Sequence, residues 1–200
     1  MEIRKVNENK KQFLSLLLLA DEQEDMVDRY LEKGAMYVLD DCGVKAECVI
    51  TDEGDGILEI KNIAVMPAHQ RAGYGRALID FIVCKYKGSY SVLQVGTGDS
   101  PLTIPFYEKC GFVRSHQIAN FFTDNYDQPI YECGVQLIDM IYLQKYNKFW
   151  LSNLPPYPHL RMPAAYGGAV FYRHSLRARH IFCYFLSAPP LTLHIVVILF

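Results

Sequence analysis

No acidic residue stands in the last 61 positions of this 200-residue chain, although 22 precede them. That absence divides the chain. Residues 1–139 set 14 Lys and Arg against 22 carboxylates, a charge of −8, whereas residues 140–200 carry +6. The total of −2 hides this asymmetry and by itself points to no class of partner. A C-x-x-C pair is also missing, and Cys42, Cys48, Cys84, Cys110, Cys133 and Cys183 show no recurrent metal spacing. Neither a zinc ribbon nor a disulfide framework is indicated. The opening MEIRKVNENKK lacks the apolar core of a secretory signal. These absences predict a reduced, cytoplasmic setting with buried free thiols. What is present suits a packed domain: half the residues are hydrophobic and 21% are charged.

Along the chain, residues 2–6 read as a strand and residues 7–33 as helical, with Phe13, Leu16, Leu17 and Ala20 on one stripe. Asp21 looks like a second helix start, and Gly34 like the stop. AMYVLDD and VKAECVITDE are strands broken by Cys42-Gly43, and EGDG leads into a third, ILEIKNIAVMP, ended by Pro67. Tyr74, Ala77, Leu78, Phe81 and Ile82 form one face of a helix running to about Lys87. SYSVLQVGT is a strand, with GTG at its end read as a turn, and residues 101–110 are a short helix opened by Pro101. GFVRSHQIANFF and GVQLIDMIYLQ complete the set as strands. The order β-α-α-β-β-β-α-β-α-β-β predicts a mixed α/β fold, a central sheet of six to seven strands flanked by helices.

The stretch HQRAGYGRAL, residues 69–78, joins a strand to a helix. Gly73 and Gly75 permit a tight turn with nothing projecting. Successive N–H groups at the helix start then form an anion-binding concavity, with Gln70, Arg71 and Arg76 nearby. A Walker loop would need G-x-x-x-x-G-K-[ST], which is absent. A dinucleotide fingerprint would need a third glycine where Leu78 stands.

The spacing Q-x-x-G-x-G, behind a strand ending V-x-P, resembles the coenzyme A loop of the GNAT superfamily of N-acetyltransferases. The element order resembles that family over residues 1 to about 144. SPLTIPFYEKCGF is similar to its fourth helix, with a Tyr five residues before the Phe of a Gly-Phe pair. Glu59 lies six residues before Val65, the spacing of the catalytic glutamate in the histone-acetylating branch. The run GTGDS…FYEKCGF…FFTDNYDQPIYECG…DM resembles a bacterial subgroup of small GNAT enzymes.

That resemblance implies acetyl transfer from acetyl-CoA to a primary amine of a small molecule or protein. It implies that backbone groups of Ile63, Ala64 and Val65 pair with the pantetheine arm. Gln70, Arg71, Ala72, Gly73, Tyr74, Gly75 and Arg76 would hold the pyrophosphate, and Ser100, first a helix-cap candidate, would be a secondary coenzyme contact. Tyr107 would protonate the departing thiolate, and Glu59 would serve as base. Tyr107 could instead be a core aromatic of an amphipathic helix, and two further alternatives stay open. Glu59 shares strand parity with Lys61, so the two could form a surface ion pair, and Asn62 faces the cleft only if the strand bulges. His69 and His116 have no ligand set around them, and no metal site is expected. Asp21, Glu22, Glu24, Asp25 and Asp28 read first as a solvated helix face and second as an attraction for a cationic acceptor. A non-catalytic CoA-binding module is the competing class.

The transferase domain is expected over residues 1–145, with an extension over 146–200 that is not a domain of its own. The extension holds four of the six His and the only Trp. A frame slip or read-through product is its leading reading. Membrane contact through Ile181–Phe200, twenty residues without charge, comes second, because Pro189-Pro190 splits that run. Nucleic acid is not an expected partner, since the five Lys and Arg after residue 146 form no cluster. A homodimer is compatible with the family.

Overall fold

The computed structural model of the protein describes residues 1–147. The readings of the extension from residue 148 onward lie outside the described residues.

β1 (Glu2–Val6) is followed by a 3-10 turn at Lys10–Phe13 and two short helices, α1 (Leu14–Leu17) and α2 (Glu24–Leu31). The long helical pattern expected over 7–33 is therefore interrupted. The second helix starts at Glu24 rather than Asp21, leaving Ala20–Gln23 as a turn between helices. β2 (Ala35–Asp40), β3 (Val44–Gly54) and β4 (Ile57–Val65) then form an antiparallel meander. α3 (Tyr74–Lys85), β5 (Val92–Gly98), α4 (Thr103–Lys109) and β6 (Val113–Ile118) come next.

α5 (Phe121–Asn125), the two-residue strands β7 (Tyr131–Glu132) and β8 (Val135–Gln136), and β9 (Met140–Tyr146) complete the described chain. Three expectations change here. Phe121 and Phe122, read as strand, open α5 and are buried from it. GVQLIDMIYLQ is two strands, because β8 turns back on β7 before β9 joins the main sheet. GTG is the last part of β5 rather than a turn, and its Gly98 accepts the close approach of Leu137. The thiols also differ: of the five described cysteines, all free, Cys48 and Cys110 are buried and Cys42, Cys84 and Cys133 are exposed.

The main sheet has seven strands in the order β1-β2-β3-β4-β5-β9-β6. Only β4 and β5 run parallel, and they pair only from Ile57↔Val92 to Ile60↔Val95. Beyond that point β4 stays on β3 as far as Val65, while β5 stays on β9 as far as Gly98. The two central strands diverge, which leaves residues 61–65 of β4 with no strand partner on the β5 side among the described residues.

A β-bulge marks the point of divergence. Ile60 pairs with Ile50 and Asn62 with the adjacent Val49, so Lys61 is the extra residue. The bulge shifts the alternation of β4. Leu58, Ile60, Ile63 and Val65 all reach one core, shared with Leu78, Ile79 and Ile82 of α3 and Tyr107 of α4. Asn62 turns to the other face, where Val27, Tyr30 and Leu31 pack on Met36, Val38 and Val49. No helix among the described residues is long and apolar enough to cross a membrane. β9 runs to Tyr146, and Asn147 bonds to the carbonyls of Tyr90 and Ser91, two residues beyond the boundary read from composition.

Candidate active site

At the open end of β4 the chain turns through Pro67–His69 and reaches α3 at Gly73. Gly73 takes the left-handed region, φ 88°, and Arg71 stands there too, at φ 63°. A tight reversal of this kind requires glycine at least once. The Gln70 amide donates to the Val65 carbonyl at 3.4 Å and ties the turn to the strand end. No side chain among the described residues caps the start of α3. The first N–H groups of this twelve-residue helix are therefore available to a ligand, and the helix dipole adds to their pull on an anion.

These residues line a groove of about 330 Å³. Val65, Arg71, Gly73, Tyr74, Gly75 and Arg76 form one wall, and Phe106, Lys109 and Cys110 the other. A Cβ at Gly75 would come within 3.3 Å of the Phe106 ring and 3.6 Å of Val65, so glycine keeps the groove open. The Tyr74 hydroxyl donates to Asp41 at 2.7 Å, and Arg76 pairs with Asp80 at 3.8 Å on the exposed side. Ala72 is exposed in the turn, while Ile63, Ala64 and Val65 are buried along the uncovered lip of β4. The α4 wall was not among the expected contacts, although the i, i+3, i+4 spacing of Phe106, Lys109 and Cys110 signals a shared helix face. The Ser100 hydroxyl accepts the Leu102 N–H at 3.1 Å, which gives it a local turn role ahead of α4.

Tyr107 is fully buried, packed edge-on against Phe106 and Phe112. Its hydroxyl has no hydrogen-bond partner among the described residues. Burial holds its pKa well above the ordinary value, and Cys48, Cys110 and Glu132 push the same way. Such a phenol keeps its proton and has no protein acceptor for it.

Glu59 is buried as well and fully engaged. Lys61 lies 2.8 Å from its carboxylate, the Gln94 amide donates to it at 2.7 Å and the Tyr142 hydroxyl at 3.3 Å. The Glu–Lys pair raised by strand parity is thus present, but inside the protein rather than on its surface. Glu53 approaches Lys61 from the other side at 3.1 Å. Burial raises the Glu59 pKa, and Lys61 and Gln94 only partly offset it. His116 stacks on Tyr142 with ring centroids 4.6 Å apart, and so touches this network from outside.

The bulge puts Asn62 on the same face of the sheet as Glu59, opposite α3 and α4. Its side-chain N–H groups donate to the Leu17 carbonyl at 3.0 Å and the Tyr30 hydroxyl at 2.7 Å. Of the acidic residues expected on a solvated helix face, Glu24 and Asp28 conform and pair with Lys11. Asp21 does not. It is buried, accepts from Tyr126 at 3.1 Å and Tyr30 at 3.4 Å, and burial raises its pKa to about 7.

Comparison with known proteins agrees with this geometry. A family model for the acetyltransferase (GNAT) domain matches residues 32–114. The chain is 36% identical over 142 residues to an uncharacterized N-acetyltransferase, YvbK, of Bacillus subtilis, covering 68% of this chain and 90% of that protein. A GNAT family acetyltransferase from Elizabethkingia anophelis, solved with acetyl-CoA bound, matches with a TM-score of 0.69 at 34% identity. That match covers 72% of this chain and 97% of the other. An acetyltransferase of Bacillus subtilis in complex with CoA matches with a TM-score of 0.66 at 34% identity, with the same coverage.

Proposed function

Because the chain belongs to the GNAT acetyltransferases, we propose that it transfers acetyl from acetyl-CoA directly to a primary amine. The observation that carries this reading is the divergence of β4 and β5 with the glycine turn at its mouth; Tyr107, whose phenol has no partner among the described residues, lies buried next to Phe106 of the groove wall. The uncovered backbone of Ile63, Ala64 and Val65 can pair with an extended amide-bearing arm as a strand would. The N–H groups from Arg71 to Arg76 take the pyrophosphate, supported by Gln70, and Ser100, ahead of α4, makes a secondary contact with the coenzyme. A backbone N–H of the uncovered segment polarises the thioester carbonyl.

Tyr107 supplies the proton to the leaving thiolate. Phenol and thiol titrate near 10 and 8.5 in water, and burial keeps Tyr107 protonated before the thiolate forms; the phenolate it leaves takes up the proton shed by the attacking amine nitrogen. Positioning, plus proton transfer worth roughly 10²–10⁴-fold, accounts for such a step. For Glu59 the three partners favour a positioning role, holding Lys61 and the bulge in place. Its raised pKa is the observation that favours a base role as a second reading.

The transferase unit is assigned to residues 1–147, since Asn147 is still bonded into the sheet. The test is calorimetry with acetyl-CoA alongside thiol release across a panel of amines. Tight binding and amine-dependent release are expected. Binding without release for any amine would sink the proposal in favour of a CoA-binding module.

A further inference from the structure

On the face of the sheet opposite α3 and α4, a second set of buried polar groups takes no part in the step above. Glu47 of β3 is fully buried, and neither carboxyl oxygen has a hydrogen-bond partner among the described residues. It lies directly across from Ala64, in the uncovered stretch of β4. The Ala64 N–H is near but not in hydrogen-bonding geometry. Asn62, two residues along the same strand and diagonal to Glu47, is also fully buried. The Leu17 carbonyl can only accept, so it fixes the Asn62 amide with N–H toward α1 and leaves Oδ1 without a partner.

Three orphan acceptor atoms thus flank the lip of β4 on which the thioester reading places the acyl group. Apart from the Ala64 N–H, no donor without a partner stands beside them among the described residues. Tyr30 and Asp21 stand behind, Tyr30 receiving the Asn62 N–H and giving its own proton to Asp21.

Resting on the acetyl-transfer reading, we propose that Glu47 and Asn62 form the ammonium-binding end of the acceptor site, and that the acceptor is a small cationic amine without a carboxylate. An ammonium brings donors only, the complement of what these atoms lack. An acceptor carboxylate would find no cation among Glu47, Asn62 and Asp21, in a region from which water is excluded. Size is set by the cover. The Ala20–Gln23 turn is held over this face by Tyr126 on Asp21 at 3.1 Å and by Gln23 on Asp127 at 3.2 Å. Ala20, Asp21, Glu47 and Asn62 are all essentially inaccessible, which admits a small molecule in preference to a polypeptide end.

A buried carboxyl without a partner lowers stability, so a purely structural origin for Glu47 has no support in its surroundings. The test uses the full chain and four probes: butylamine, 1,4-diaminobutane, glutamate and an alanyl tetrapeptide. Direct binding of each to the free protein is followed by NMR titration, thiol release from acetyl-CoA by absorbance, and acetyl-CoA binding by calorimetry. The two alkyl amines are expected to bind and be acetylated, with kcat/KM at least 100-fold above that for glutamate or the peptide. Glu47→Gln and Glu47→Met should raise the KM for butylamine tenfold or more at unchanged acetyl-CoA affinity. Glu47→Met should also melt above the wild type, because an apolar side chain replaces an unpartnered acid. An unchanged amine KM, a preference for the peptide or glutamate, or a lower Tm for Glu47→Met overturns the proposal. Loss of acetyl-CoA binding in the wild type with butylamine binding intact would count against the transferase reading and for the pocket.

Discussion

Replacing Glu59 by Gln separates an anchor from a base. The Lys61 ammonium is 2% exposed and sits 2.8 Å from Glu59 and 3.1 Å from Glu53. Removing one partner of a buried ion pair costs roughly 3–5 kcal/mol, because the remaining charge is left uncompensated. Glu53 stays in place, so the expected loss for Glu59→Gln is about 2–4 kcal/mol, or a fall of roughly 5–15 °C in Tm for a chain of this size. The double variant Glu59→Gln/Lys61→Met removes both charges. It should recover stability to within about 1–2 kcal/mol of the wild type, since Glu53, 26% exposed, can turn to water. Thermal melts and urea titrations of the three proteins give the stabilities, and steady-state thiol release gives kcat. If Glu59 only positions the strand, the double variant regains kcat to within a few-fold. If it is the base, the double variant is stable and stays about 100-fold or more below wild type. A Glu59→Gln protein as stable as the wild type would refute the anchoring argument outright.

Other outcomes follow from the same geometry. Tyr107→Phe should lower kcat tenfold or more at unchanged acetyl-CoA affinity, and, because the hydroxyl has no partner, without loss of Tm; an unchanged kcat would remove Tyr107 from the chemistry. Gly75→Glu places a side chain against Phe106 and Val65 and a negative charge in the groove, so calorimetry should detect no acetyl-CoA binding, and wild-type affinity would refute the pyrophosphate cradle.

Asp21, raised to about 7 by burial from an ordinary 3.8, holds a proton in the fold that the unfolded chain has already released above pH 4. Its contribution to stability therefore falls as pH rises from about 4 to about 7. Asp21→Asn should flatten the loss between pH 4.5 and 8 by roughly 3 kcal/mol in urea titrations; equal pH slopes in both proteins would refute the assignment. A chain ending at Asn147 should bind acetyl-CoA as the full chain does, and a tenfold weaker affinity would show that the later residues contribute.

What local pattern alone determined was considerable. The strand ending at Val65, the glycine turn, and the amphipathic helix from Tyr74 follow from periods of 2.0 and 3.6 and from glycine's freedom. These are local properties, and so this strand–turn–helix was legible. α5 and the β7–β8 hairpin were not, because segments of two to five residues are too short for a period to show.

The acceptor side belongs to the tertiary structure. Strand parity places Glu59 and Asn62 on opposite faces, and only a one-residue bulge against β3 brings the shift at Lys61. Glu59 beside Lys61 reads as a surface pair until Gln94 and Tyr142, from strands 35 and 83 residues away, close over it. Glu47 carried no reading in the sequence, and only the folded chain buries it completely. Burial of a carboxylate depends on what long-range packing lays over it, and no local alternation of residues encodes that.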